Sequence, residues 1–360
     1  MIESENSSVI KITPKMFFYY MGTFYIPFFV SWATLVNLKV FNVQETFIGF
    51  TSPFGFISVL AVLAFVLTWW ATQTKKLKQF NPEDPASIIK TNKIAKRFQS
   101  VALASALVNA FLSAAIVQGA FAEKKVFVDV APLYTICLGD VFLIAQVFYS
   151  LFVQDLEKAL HIVPFRKEFK SMSLMFRSAF ISTFGGVGFL LLTISPVLST
   201  ALHDVSTSEL VWRYIFPEGI IGAVFIVITS LLQMKAVNGR VRLIQEFTQQ
   251  VAEKDYTGET LPVITRNEFG LLINDLNTFK TETHNLLSDI GKSVDISLRT
   301  ADNVSSNMTE TSSSIEQIMA NISSVKERVG QQAESVPRAT RQFRTCLRKS
   351  MSLTQTSICR

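Results

Sequence analysis

Cysteine and histidine are scarce in these 360 residues, with three of each: Cys137, Cys346 and Cys359, and His161, His203 and His284. The cysteines stand too far apart in sequence for a zinc ligand spacing or a disulfide framework. The histidines are equally scattered, which leaves no Ser-His-Asp constellation to assemble. A Gly-rich phosphate loop is missing, and so is a nucleophile with a base close by. These absences argue against an enzyme and give no basis for a metal or any other cofactor. Acids are missing from residues 337–360, where five Arg and one Lys supply a charge equal to the whole formal net of +6. The rest of the chain is therefore neutral, and a nucleic-acid partner is not expected.

What the chain has in quantity is apolar length. Hydrophobic residues make up 49% of it, and the mean hydropathy of +0.33 averages two unlike regions. Residues 16–234 are dominated by apolar runs, whereas residues 235–360 are polar. Six runs approach the roughly 20 residues that a bilayer crossing needs: 16–37, 51–72, 98–120, 132–153, 178–199 and 214–234, with Pro53 and Gly55 leaving the second start open. Residues 1–15 are polar, and no small-residue cleavage pattern follows the first run, so it reads as an anchor that is retained.

Lysine and arginine orient the runs. Alternate loops with the N-terminus hold seventeen of them, against four on the other side. Positive residues stay inside, which predicts a multi-pass protein of a bacterial inner membrane with both termini cytoplasmic. The basic loops at 73–97 and 154–177 are expected to hold to the anionic inner leaflet. The outward loops are short, so a stimulus is expected to act on the membrane bundle or from inside. Asp140 lies within the fourth run, where an ionisable group is expensive and is by default a functional candidate. A hydrogen-bonded packing residue and a proton or cation sensor are both open readings of it. Gly185, Gly186 and Gly188 predict a close helix approach in the fifth run.

Beyond the last run, Val237, Val241, Ile244 and Val251 recur at steps of three and four, with Thr248 interrupting. Phe269, Leu272, Leu276, Phe279 and Leu286 do the same after a turn-rich connector, Lys254 to Asn267, that carries Gly258 and Pro262. Such spacing predicts two helices that each offer a narrow seam to partners. Leu261 and Ile264 are expected to pin the connector against the bundle.

The pattern Gly258-x-x-Leu261, followed by Asn267-Glu268-Phe269-Gly270-Leu271-Leu272 opening a second helix, resembles a HAMP domain. Glu268, Gly270 and Leu272 match the family's Asp-Glu-x-Gly-x-Leu, and Asn267 stands in place of the Asp. The resemblance implies a dimeric, parallel four-helix bundle over 235–289 that relays motion from the membrane. Over 290–336 an apolar seam continues through Ile290, Val294, Ile315, Ile318, Ile322 and Val336 and predicts a coiled coil. A step of four after Leu286 and again after Ile290 puts it out of phase with the preceding seam, as a stutter does.

Within that segment, Ser312-Ser313-Ser314-Ile315-Glu316-Gln317-Ile318-Met319-Ala320 resembles the modification motif of methyl-accepting chemotaxis proteins. The resemblance implies that Glu316 is methylated and Gln317 deamidated or methylated. It also implies a homodimer and a methyltransferase and methylesterase as partners. The family's chemotaxis kinase and coupling protein would be partners only if a hairpin tip were restored, because nothing here resembles that tip. At Val336-Pro337 the heptads stop, and residues 337–360 read as a basic, non-native tail of the kind a frameshift or truncation leaves.

The fold class expected is therefore all-α: a polytopic membrane helix bundle, then a HAMP four-helix bundle and a coiled coil. The expected function is that of a chemotaxis transducer. Its rivals are the membrane half of a signalling enzyme, either nucleotide cyclase or histidine kinase, and a small transporter coupled through Asp140.

Overall fold

The computed structural model describes residues 10–165, 167–170, 172–256 and 259–356. Among these the regular elements are helices and no strand occurs. The chain divides after Glu282 into two units.

The first unit opens with α1 (Pro14–Asn37), capped by the Thr13 side chain, which accepts from the Met16 amide. A short α2 (Ile48–Thr51) leads to α3 (Pro53–Lys78). The start left open at Pro53 is fixed by capping: Pro53 fills the first turn, and the Ser52 hydroxyl accepts from the Gly55 amide at 3.2 Å. Then come α4 (Pro85–Glu123), α5 (Val130–Asp140), a π-helical turn (Val141–Ala145) and α6 (Gln146–Ala159). Next are α7 (Leu174–Leu198), α8 (Thr207–Glu209), a second π-helical turn (Leu210–Ile215) and α9 (Phe216–Ala252). The last helix, α10 (Glu268–Thr356), runs from the first unit into the second.

Five of these helical stretches are long and apolar enough to cross a membrane: α3, α4, the α5–α6 stretch, α7 and α9. Six had been expected. The missing one is α1, which is long enough at 24 residues but carries Tyr19, Tyr20, Thr23 and Tyr25 among its apolar residues. Its position explains the difference. It packs against α4, α5 and α6, so its polar atoms meet protein, and Tyr20 donates to the Val66 carbonyl at 3.4 Å.

The α5–α6 stretch is the other inner helix. It is 78% buried over its most apolar window, against 11% for α3 and 17% for α9. Lipid cannot drive apolar helices together, so close packing has to. At one end the rings of Tyr20, Trp70, Phe98 and Phe152 interlock, with Phe98 and Phe152 edge to face at 5.1 Å. Ring pairs of this kind are each worth about 0.5–1.5 kcal/mol beyond the area they bury. Where α5 crosses α7, a Cβ on Gly188 would stand 2.9 Å from the Gly139 carbonyl oxygen, so the backbones meet directly. Gly185 lies against Gln146, but Gly186 faces open space and takes no part in the approach.

In the second unit the described chain is α10 alone, and every side chain from His284 to Met351 is exposed. The seam residues Ile290, Val294, Ile315, Ile318, Ile322 and Val336 form an uncovered apolar stripe. Glu316 and Gln317 are exposed on the same helix. The expected cut at Pro337 is not a helix break: α10 continues through it to Thr356. Proline removes one amide donor and crowds the preceding turn, but the helix runs on past it, and the Thr340 hydroxyl donates back to the Val336 carbonyl at 2.8 Å. The apolar periodicity ends there; the helix does not.

Candidate functional site

The densest polar cluster lies at the base of the membrane bundle, where α6, α7 and α9 meet the connector between α9 and α10. Glu157, in the last turn of α6, is 1% exposed. Its Oε2 accepts from Nη2 of Arg240 on α9 at 3.3 Å, and its Oε1 stands 3.8 Å from Nη1 of Arg177 on α7. The backbone amide of Arg266, in the connector, donates to the same carboxylate.

The Arg266 side chain is itself buried. Its Nη2 donates to the Leu160 and Val163 carbonyls at 3.0 and 3.1 Å, its Nη1 to the Asn92 side-chain oxygen on α4, and its plane lies over the Phe165 ring. The end of α6 leaves carbonyls with no partner in the helix, and a cation there satisfies them and complements the helix dipole. Asn92 completes the knot by donating to the Pro164 carbonyl at 3.0 Å. Burial pulls the Arg266 guanidinium down to about 10 against the upward pull of Glu157, so it stays charged at neutral pH.

One residue pair further on, Glu268 opens α10. Its Oε2 accepts from the Leu174 amide at the start of α7, and its Oε1 pairs with Lys170, each at 2.8 Å. Partial burial pushes this carboxyl up, but the Leu174 amide and the Lys170 ammonium outweigh it and hold it down to about 2. Gly270 follows from geometry: a Cβ there would collide with the Thr265 carbonyl, so the connector folds back against α10 only over a glycine. The Leu261 backbone is held on both sides by Asn277, whose Oδ1 accepts from its amide and whose Nδ2 donates to its carbonyl, both at 2.8 Å. Ile264 lines a cavity against Gly239, Arg240 and Leu243. Gly258 lies outside the described residues.

The two helices leave the base in the same direction. Arg240 and Arg266 meet at Glu157, and further along both, Phe247 sits under the Lys280 ammonium at 5.8 Å. Ile273 of α10 faces the same cavity as Gly239 and Leu243 of α9, and both Phe247 and Ile273 are buried. The expected seam residues are left uncovered. Val241, Ile244, Phe269 and Leu272 line an open groove, and Leu272 and Phe279 are 44% and 52% exposed. No family model, curated protein or solved structure matches the chain.

Asp140 stands apart from this cluster. It is buried at the end of α5, directly before the π-helical turn, with Ser31 of α1 beside it, and its Oδ2 has no hydrogen-bond partner. Along the same inner helix follow buried Gln146, Tyr149, Ser150 and finally Glu157. The π turn inserts an extra residue between Asp140 and the rest, and such turns are frequent at functional sites. Glu218, in the first turn of α9, is buried and accepts from Asn37 at 3.4 Å.

Sequence reasoning missed Glu157, Asn92, Arg177, Arg240, Arg266 and Asn277. Arg177 and Arg240 count among the inside positive charges, yet both turn inward to a carboxylate. The one available signal was the pair of acids, Asp155 and Glu157, at the end of an apolar run.

Proposed function

We propose that the chain is a membrane signal transducer of the chemotaxis-receptor kind, working as a homodimer in a bacterial inner membrane. Its bundle passes a stimulus through a HAMP-like relay to the coiled-coil stripe of α10. The observation that carries this reading is the anchoring of the connector. Arg266 and Glu268 tie both ends of the turn into α10 to three helices of the bundle, so a shift of α6 or α7 has to move the start of α10. The open groove of Val241, Ile244, Phe269 and Leu272 supports the second half of the reading, because a second copy laid in it would complete four parallel helices. Packing shifts of this kind are worth about 1–3 kcal/mol between states. On this reading both termini are cytoplasmic, α1 is the sixth span, and Glu316 and Gln317 are presented to a methyltransferase and methylesterase.

The test is disulfide trapping in membranes. Leu272→Cys and Phe279→Cys should each cross-link two copies on mild oxidation, whereas Thr281→Cys, exposed on the opposite face of the same helix, should not. Equal cross-linking of all three, or none, removes the dimeric relay. A transporter remains the second reading on one observation, the orphaned Asp140 oxygen beside the π turn. Proton-driven uptake into vesicles, lost in Asp140→Asn, would favour it.

A further inference from the structure

At the same base lies a cavity of about 240 Å³ whose wall joins α6, α9, the connector and α10. Its chemistry is unlike that of the apolar hollows within the bundle. Lys158 and Lys235 stand at it, together with Arg240, Thr265 and the Glu157 carboxylate, over an apolar floor that includes Leu243 and Ile273. Two of these groups are buried and have no hydrogen-bond partner: Nη1 of Arg240 and Oγ1 of Thr265. Arg240 gives Nη2 to Glu157 and keeps its other arm unused. Lys158 is engaged by Asp155 at 3.3 Å. Lys235, exposed, has no carboxylate within ion-pair distance among the described residues.

Donors left unmade in a buried wall are expensive, about 1–3 kcal/mol each and more for a charged group. A site that carries a guanidinium arm, a hydroxyl and an ammonium around one hollow matches a compact oxyanion with several acceptor oxygens. The lone carboxylate in the wall does not oppose this, because Arg177, Arg240 and Arg266 already surround it. Size narrows the ligand. A cavity of about 150 Å³ holds a benzene, so this one has room for a phosphate with a small polyol and little more.

The geometry points to a phosphoryl-binding site at this junction, with Arg240, Lys235 and Thr265 as its donors. An occupant would bridge α9 to the connector and brace the same turn that Arg266 and Glu268 hold. The site does not depend on the chemotaxis-type reading. A phosphoryl group can come from an anionic lipid headgroup, since Lys235 follows directly on the last apolar run, or from free phosphate in solution.

Both sources are separable with the full chain in lipid nanodiscs. In discs of phosphatidylcholine alone, radiolabelled inorganic phosphate is titrated against the protein. In discs that also contain phosphatidylglycerol, native mass spectrometry counts the phosphatidylglycerol retained by the released protein. Lys235→Gln combined with Thr265→Val should weaken whichever probe binds by tenfold or more. Thr265→Ser alone, which keeps the hydroxyl, should bind as the unaltered chain does. Arg242→Gln makes the same charge change on an exposed face of α9 and should also leave binding intact. Retention of phosphatidylglycerol without phosphate binding assigns the headgroup, and saturable phosphate binding assigns the free anion. If neither probe binds, or if Arg242→Gln weakens binding as much as the double variant, the site is overturned. Unchanged circular dichroism melting of each variant excludes misfolding as the cause of a loss.

Discussion

The Glu157 carboxylate accepts from the Arg240 guanidinium at 3.3 Å, although 83 residues separate the two in sequence. The pair closes the membrane bundle at the place where the chain leaves it. Three arginines from three segments converge on one acid there, so the acid holds together positive charges that would otherwise repel one another. Ion pairs so buried add little over an apolar replacement of the whole group, but losing one partner is severe.

Glu157→Gln should therefore destabilise the bundle base by about 3–5 kcal/mol, because Arg177 and Arg240 are left without a counter-charge. Hydrogen exchange in detergent or nanodiscs should show the loss first in the connector, 259–267, and at the end of α6. Protection unchanged in both segments would mean that the cluster does not hold the connector.

Much of the bundle was legible in advance because each membrane helix announces itself locally. The runs at 132–153 and 178–199 lie within or beside α5–α6 and α7, and the helix seams around Phe269 to Leu286 fall on α10. Capping made the Pro53 start a matter of local chemistry. What was not legible is pairing across the sequence. Arg177 and Arg240 obey the inside-positive pattern equally well whether they face lipid or Glu157, and nothing local tells the two apart. Nor does the heptad pattern say which residues of α10 its own chain buries: Ile273 and Lys280 are buried, and Leu272 and Phe279 are exposed. The end of the heptads at Pro337 is a matter of composition, whereas backbone continuity there is decided by neighbouring turns, and α10 runs on.

Gly270→Ala should push the connector off α10, since its methyl group would occupy the place of the Thr265 carbonyl. Overpacking of this kind costs about 1–3 kcal/mol. Gly291→Ala is the matched control, because nothing lies within 4 Å of its added Cβ. There the change should stabilise the helix by about 0.5–1 kcal/mol. Thermal melts followed by circular dichroism should move in opposite directions for the two variants. Melts that move together would show that the Thr265 contact has no energetic weight.

Glu268 gives the start of α10 a pH dependence whose sign is fixed. Its carboxyl is held down to about 2 in the folded chain, below the ordinary range near 4.3. A depressed carboxylate contributes stability that is fully present above its unfolded value and lost as the pH falls through the folded one. The Leu174 amide resonance should thus hold its position down to about pH 3 and move with a midpoint of about 2. In Glu268→Gln the titration should vanish. A midpoint near 4 would mean that the amide and Lys170 do not grip the carboxylate.

The stripe on α10 makes the last prediction. Ile315, Ile318 and Ile322 are each more than half exposed, on a helix with no covering element among the described residues of its unit. A single helix is held by tertiary packing more than by its own propensity, and an uncovered heptad seam is satisfied by another such seam. Helicity over residues 283–356 should therefore rise with protein concentration in nanodiscs that hold two copies rather than one. Replacing Ile315, Ile318 and Ile322 together by Ser should abolish that rise and leave the membrane bundle's melting unchanged, because the three residues belong to the second unit. Helicity that is equal in single-copy and two-copy discs would show that α10 stands alone, and the stripe would then have to meet a different partner.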